Sequence, residues 1–214
     1  MSHPRGLFLS FEGTEGAGKS SNLQYVKEML ETSGKTVLVT REPGGTEVGE
    51  RIREILLNPD LPAMHSDTEL LLMFASRAEH YQHKILPALN EGQWVLCDRF
   101  TDASFAYQGG GRGIDMARIA ELEFWVLGGR KPDQTFLFDL PVEIGLSRAK
   151  SRGAADRFEQ EAVLFFQRIR DCYLARAAAE PTRFKVLDAS QSLEQVRDQL
   201  KMTTSQLLKD TNFE

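Results

Sequence analysis

The chain has 214 residues, 41% of them hydrophobic and 27% charged, proportions that exclude a wholly disordered chain. Lys and Arg total 26 against 31 Asp and Glu, a net charge of −5, which argues against a nucleic-acid-coating protein and leaves any anionic ligand to local basic groups. No apolar run approaches the roughly 18 residues of a membrane span, the first six residues hold no signal-peptide core, and Cys97 and Cys172 form no disulfide framework, so a reduced, cytoplasmic setting is expected.

Short apolar runs alternate with helical patterns along the chain. Leu7–Phe11 reads as the first strand. A helix follows from Lys19 to Ser33, with Leu23, Val26 and Leu30 on one face and Gly34 as its C-terminal cap. Thr36–Thr40 is the second strand and Val48–Leu57 the second helix. The long helix Asp67–Asn90 takes Asp67 as its N-cap and bends near Pro87. Trp94–Asp98 is a strand, and Ile114–Leu127 a helix stopped by Gly128-Gly129. Thr135–Leu140 is a strand, helices Val142–Arg152 and Glu159–Ala179 flank Gly153, Phe184–Asp188 is a strand, and Leu193–Leu208 a helix. The strands are apolar on both faces, as when helices cover both sides of a parallel sheet. The alternation predicts one α/β domain over residues 1–214, a five-stranded parallel sheet whose ligands bind at the strands' carboxyl ends.

The strongest motif is Gly13-Thr14-Glu15-Gly16-Ala17-Gly18-Lys19-Ser20, which fits G-x-x-x-x-G-K-[ST] between a strand and a helix. Glycines let backbone N–H groups turn inward around a phosphate, and the helix N-terminus adds its positive end. Lys19 supplies a point charge to the outer phosphates, and the Ser20 hydroxyl is placed to ligate Mg²⁺. The fold expected is therefore P-loop NTPase-like. A GTPase would need Asn-Lys-x-Asp after a strand, which does not occur, and a large ATPase module would need more chain, so a kinase is the class left.

Other segments add weaker signals, each with a plain structural alternative. Arg41-Glu42-Pro43-Gly44-Gly45 suits an anion-facing loop or a simple turn. Asp98-Arg99 offers a carboxylate for Mg²⁺ and a guanidinium for a phosphate, or a structural ion pair. Ser104, Tyr107 and Gln108 group hydroxyl, aromatic and amide chemistry suited to a base, ahead of three glycines that read equally as a helix stop. Phe74 and Arg77 share a helix face, as a stacking ring with a phosphate ligand or as core packing. Arg148, Arg152 and Arg157 surround a small-residue break near 148–158, as a lid bearing cations or as a solvated basic face.

In order and spacing these segments resemble the thymidylate kinase (dTMP kinase) family, bacterial type. The matching stretches are Phe11 through Ser20, Arg41–Thr46, Leu72–Arg77, Asp98–Phe100, Ala106–Gly113, Lys131–Asp133 and Asp156–Glu159. The resemblance implies transfer of the γ-phosphoryl group of MgATP to dTMP for dTTP biosynthesis, in a homodimer. It implies Lys19, Arg99, Glu15 and the lid residues Arg152 and Arg157 as the catalytic set. It also implies Gly13 to Ser20, with Ser21 and Arg148, on ATP, and Ser20 and Asp98 on the metal. Glu15, Arg41, Pro43, Phe74, Arg77, Arg99, Ser104, Tyr107 and Gln108 fall on dTMP: Arg41 and Arg77 at its phosphate, Phe74 stacked on thymine. The P-loop's variable positions carry no base, as in the subtype whose lid holds the catalytic cations. Asp188–Gln191 resembles the loop that passes the donor adenine. Phe100 stands where many members carry Tyr. The rivals are another nucleoside monophosphate kinase, a deoxynucleoside kinase using Glu12 as base, and a nucleotide-binding module without catalysis.

Overall fold

The computed structural model describes residues 5–150, 157–158 and 161–211, with the Lys150 side chain outside that description. Five parallel strands, β1 (Phe8–Glu12), β2 (Val37–Arg41), β3 (Trp94–Asp98), β4 (Gln134–Asp139) and β5 (Phe184–Asp188), lie in the order β2-β3-β1-β4-β5. Chain order reverses at β1, with β3 on one side and β4 on the other, and this switch point opens a crevice at the strands' carboxyl ends. The register brings Arg41 level with Asp98 and Phe11 level with Asp98, so the ends of β1, β2 and β3 share one rim.

Both sheet faces are apolar, as the strand sequences require. Leu9, Phe11, Leu96, Phe136 and Phe138 pack under α1 (Lys19–Thr32) and α9 (Leu193–Thr211). On the other face Phe8, Val95 and Cys97 meet Tyr81, Ile85 and Leu89, while Leu137 and Phe184 meet Phe165, Phe166 and Ile169 of α8 (Val163–Ala179). Each fully buried ring or leucine contributes roughly 1.5–3 kcal/mol. No helix among the described residues is long and apolar enough to cross a membrane.

Several boundaries differ from the sequence reading. The cap before Asp67 is His65, whose Nδ1 accepts the Asp67 N–H at 3.2 Å, while Asp67 pairs with Arg118. α3 (Ser66–His80) passes through a π-helical turn (Tyr81–Ile85) into α4 (Leu86–Asn90), which accommodates Pro87 and its missing N–H. The segment whose glycines read equally as a helix stop is helical: α5 (Thr101–Ser104) continues as a π-helical stretch, Phe105–Gly111. α6 spans Met116–Leu127, α7 Val142–Lys150 and α2 Glu47–Leu57. α8 begins at Val163 rather than Glu159, after an extended Ala162. Gly34 follows the capping residue Ser33 at φ 80°, and the N–H groups of Gly34 and Lys35 close on the carbonyls of Glu31 and Leu30.

Candidate active site

β1 delivers the chain into the phosphate loop and Gly18 caps α1 in a left-handed conformation. The loop rests on the backbone of α7: a Cβ at Gly16 (φ 73°) would collide with the Gly145 carbonyl, and one at Gly145 would come within 2.5 Å of the Glu15 carbonyl. Lys19, 8% exposed, donates to the carbonyls of Gly13 at 3.1 Å and Thr14 at 3.0 Å. Burial, followed by the charge of Arg99, lowers its pKa to about 8. The Ser20 hydroxyl donates to the Asp98 carboxylate at 3.2 Å across the strand ends. Two hard oxygen donors at the mouth of a phosphate loop fit Mg²⁺, which takes one or two protein oxygens and completes its shell with water and phosphate.

Arg99 follows β3 in a left-handed backbone conformation, φ 68°, which turns its side chain back over β1. It donates to the Gly13 carbonyl at 2.9 Å and to Glu15 at 2.8 Å, and its guanidinium lies 4.8 Å from the centre of the Tyr107 ring. Burial works against its charge, but the Glu15 carboxylate overrides that and raises its pKa. The Tyr107 hydroxyl also donates to Glu15, at 2.8 Å, and burial, with that carboxylate, keeps the phenol protonated. The turn is pinned from below by Glu12, fully buried, which accepts the Phe100 N–H at 2.6 Å and the Tyr173 hydroxyl at 2.8 Å. Burial, then the charge of Asp102, pushes Glu12 up to about 8; Asp102 itself stays ionised on Arg183 and Arg176.

A cleft of about 190 Å³ joins these groups. Glu15, Gly16, Ala17, Gly18, Lys19 and Ser20 form one wall, and Asp98 and Arg99 the floor. Arg41, Pro43, Arg77, Ser104, Tyr107 and Gln108 are also in the lining, so sequence-predicted residues more than 90 positions apart meet there. Gly13 and Thr14 sit behind Lys19 as its carbonyl partners. Ser21, exposed on α1, lies outside the lining.

Some placements differ from expectation. Arg77 is 2% exposed and donates to Glu42 at 2.7 Å, Ser104 at 3.0 Å and the Phe100 carbonyl at 3.1 Å. Phe74 lies one layer behind the cleft wall with Leu70, Phe105 and Ile119, the Arg77 guanidinium 4.6 Å over its ring. Arg157 does not face the cleft; it donates to the Leu56 carbonyl at 2.8 Å and to the buried Glu69 at 2.7 Å. Arg152 lies outside the described residues. Arg148 donates to the Ala189 and Ser190 carbonyls, tying α7 to the turn after β5. Glu42, Glu69, Gly145 and Tyr173 support the site without having been singled out as site residues. A glycine inside a helical pattern was a usable signal for Gly145; the carboxylates Glu42 and Glu69 reveal themselves only through partners 35 to 88 positions away.

Comparison with known proteins gives one consistent result. The family profile described as thymidylate kinase matches residues 11–200. Thymidylate kinase of Alcanivorax borkumensis is 60% identical over 195 residues, 91% of this chain and 94% of that protein. Its counterpart from Pseudomonas fluorescens is 56% identical over 203 residues, 95% of this chain and 97% of that one. A crystal structure of thymidylate kinase from Ehrlichia chaffeensis superposes with a TM-score of 0.76 at 31% identity, covering 94% of this chain and 99% of the other.

Proposed function

The chain belongs to the thymidylate kinase family, and from that premise we propose how its cleft performs the reaction. The enzyme is a nucleoside monophosphate kinase that transfers the γ-phosphoryl group of ATP to dTMP, giving dTDP and ADP. The observation that carries the reading is a single cleft holding a phosphate loop at one end and Arg77, Ser104 and Gln108 at the other, with Arg99 between.

The acceptor phosphate is already an anion, so its oxygen attacks the γ-phosphorus in line without a strong base. The barrier is the meeting of two polyanions, and the work is positioning and charge supply. Lys19 exchanges its carbonyl partners for phosphate oxygens. Arg99, fixed by Glu15 and the Gly13 carbonyl, stands between donor and acceptor. Ser20 and Asp98 would hold Mg²⁺, which would supply charge neutralisation at the donor phosphates. Arg41, on the rim beside Glu50, meets the acceptor phosphate. Arg77 donates to the base, with Phe74 backing its guanidinium, and Tyr107 fills the space that a ribose 2′-hydroxyl would need. Arg152 is carried as a further cation for the transferring group, while Arg157 is held on Glu69. The domain works as one unit over 1–214 in the cytoplasm.

The deoxynucleoside kinase reading weakens because Glu12 is fully buried, committed to Phe100 and Tyr173, and outside the cleft lining. We also propose a homodimer through α3 and α6, where Leu71, Phe124 and Trp125 are 57%, 68% and 80% exposed. An ADP-release assay over nucleosides and nucleoside monophosphates tests the activity. Turnover should be fastest with dTMP; phosphorylation of thymidine but not dTMP, or ATP hydrolysis indifferent to acceptor, contradicts it.

A further inference from the structure

We propose that Glu69 is a specificity-positioning residue: it locks the Gln108 carboxamide with its oxygen toward the acceptor base, and so selects a pyrimidine with a 4-oxo group and an N3–H over a 4-amino one. The inference rests on the cleft being the dTMP site. Glu69 lies on α3, is 0% exposed and contributes nothing to the cleft surface itself. Gln108 Nε2 donates to it at 2.8 Å, Arg112 at 3.3 and 3.2 Å through two nitrogens, and Arg157 at 2.7 Å. Guanidinium groups only donate, so a carboxylate held between two of them serves only as acceptor. An amide facing such a partner must turn its NH₂ toward it; the reverse orientation would set two acceptor oxygens against each other in a buried place.

The amide's orientation is thus fixed from behind by a group that never meets the substrate. Its oxygen has no hydrogen-bond partner among the described residues, and Gln108 lines the cleft. Ser104, one helical turn earlier, carries Arg77, which can only donate. The wall therefore offers a donor beside an acceptor. Thymine matches with O4 and N3–H. A 4-amino pyrimidine presents the same two functions in the opposite order, donor at N4 and acceptor at N3, and meets like against like at both positions.

The test compares kcat/KM for dTMP and for 5-methyl-dCMP, which differ only at these two positions. Wild type should prefer dTMP by about 10⁴-fold, as expected of a site built around a substrate N–H. Glu69→Gln permits both amide orientations and should lower that preference by about tenfold or more. Glu69→Asp keeps the charge for both arginines but retracts the acceptor, and carries the test should Glu69→Gln fold poorly; it should move the preference in the same direction. In a Gln108→Leu background, Glu69→Gln should change the preference no further. Folded Glu69 variants with the wild-type preference, or an equal loss without the Gln108 amide, overturn the inference while the enzyme remains a dTMP kinase. A wild type that phosphorylates neither nucleotide overturns the functional reading itself.

Discussion

Lys19 ties the chemistry of the site to pH. Its amine is buried against Arg99 and titrates near 8 instead of its usual 10.5. Between those values the unfolded chain binds more protons, so this residue makes stability rise with pH through that window. Donor phosphates reverse the sign locally, because they favour the ammonium form. ATP binding near pH 8 should therefore take up about half a proton, seen as a binding enthalpy that changes with the ionisation heat of the buffer. Above pH 8 the affinity should fall, approaching tenfold per pH unit. Lys19→Met should abolish the uptake; uptake that persists in that variant assigns the proton elsewhere.

At the scale of elements, two glycines separate shape from function. Gly34 adopts φ 80° at the end of α1 with nothing near a would-be Cβ, so Gly34→Ala should cost about 1 kcal/mol, a few degrees of Tm, and leave kinetics alone. Gly145 lies inside α7 against the Glu15 carbonyl. Gly145→Ala should push on the phosphate loop and lower kcat/KM for ATP by about tenfold or more. Steady-state kinetics and thermal melts on the two variants check both statements.

The same contrast explains what the sequence revealed. The strands were legible because Val, Leu and Phe fill both faces, and the phosphate loop because its glycines and lysine sit in one short run. The Phe105–Gly111 helix was not. Gly109, Gly110 and Gly111 look like a breaker, yet a Cβ at each would come within 2.5–2.7 Å of Met116, Cys172 or Phe165. These glycines allow a close helix crossing, a reason that resides in α6 and α8 and not in the local pattern. The supporting roles of the buried carboxylates Glu12, Glu42 and Glu69 escaped for a similar cause: each is explained by partners from other elements. Arg77 and Arg157 carried their charge in plain view, but the direction of each depended on Glu42 and Glu69.

For the whole molecule, Phe124 and Trp125 make α6 an exposed apolar face among the described residues. Replacing Phe124 and Trp125 together by Ser should convert a dimer to a monomer in sedimentation experiments at micromolar concentration, with little loss of fold, since both side chains are mostly exposed in the single chain. A wild type that sediments as a monomer contradicts the dimer.

The central claim is that fixed cations at the end of one sheet gather two mutually repelling phosphate-bearing molecules. Single-turnover transfer of labelled γ-phosphate from ATP to dTMP, in wild type and in Arg99→Ala, tests it most directly. The account predicts a loss of about 10³-fold or more in the transfer rate, with a melting temperature near wild type and ATP still bound. A variant that transfers within tenfold of the wild-type rate would show that Arg99 does not stand between the two substrates.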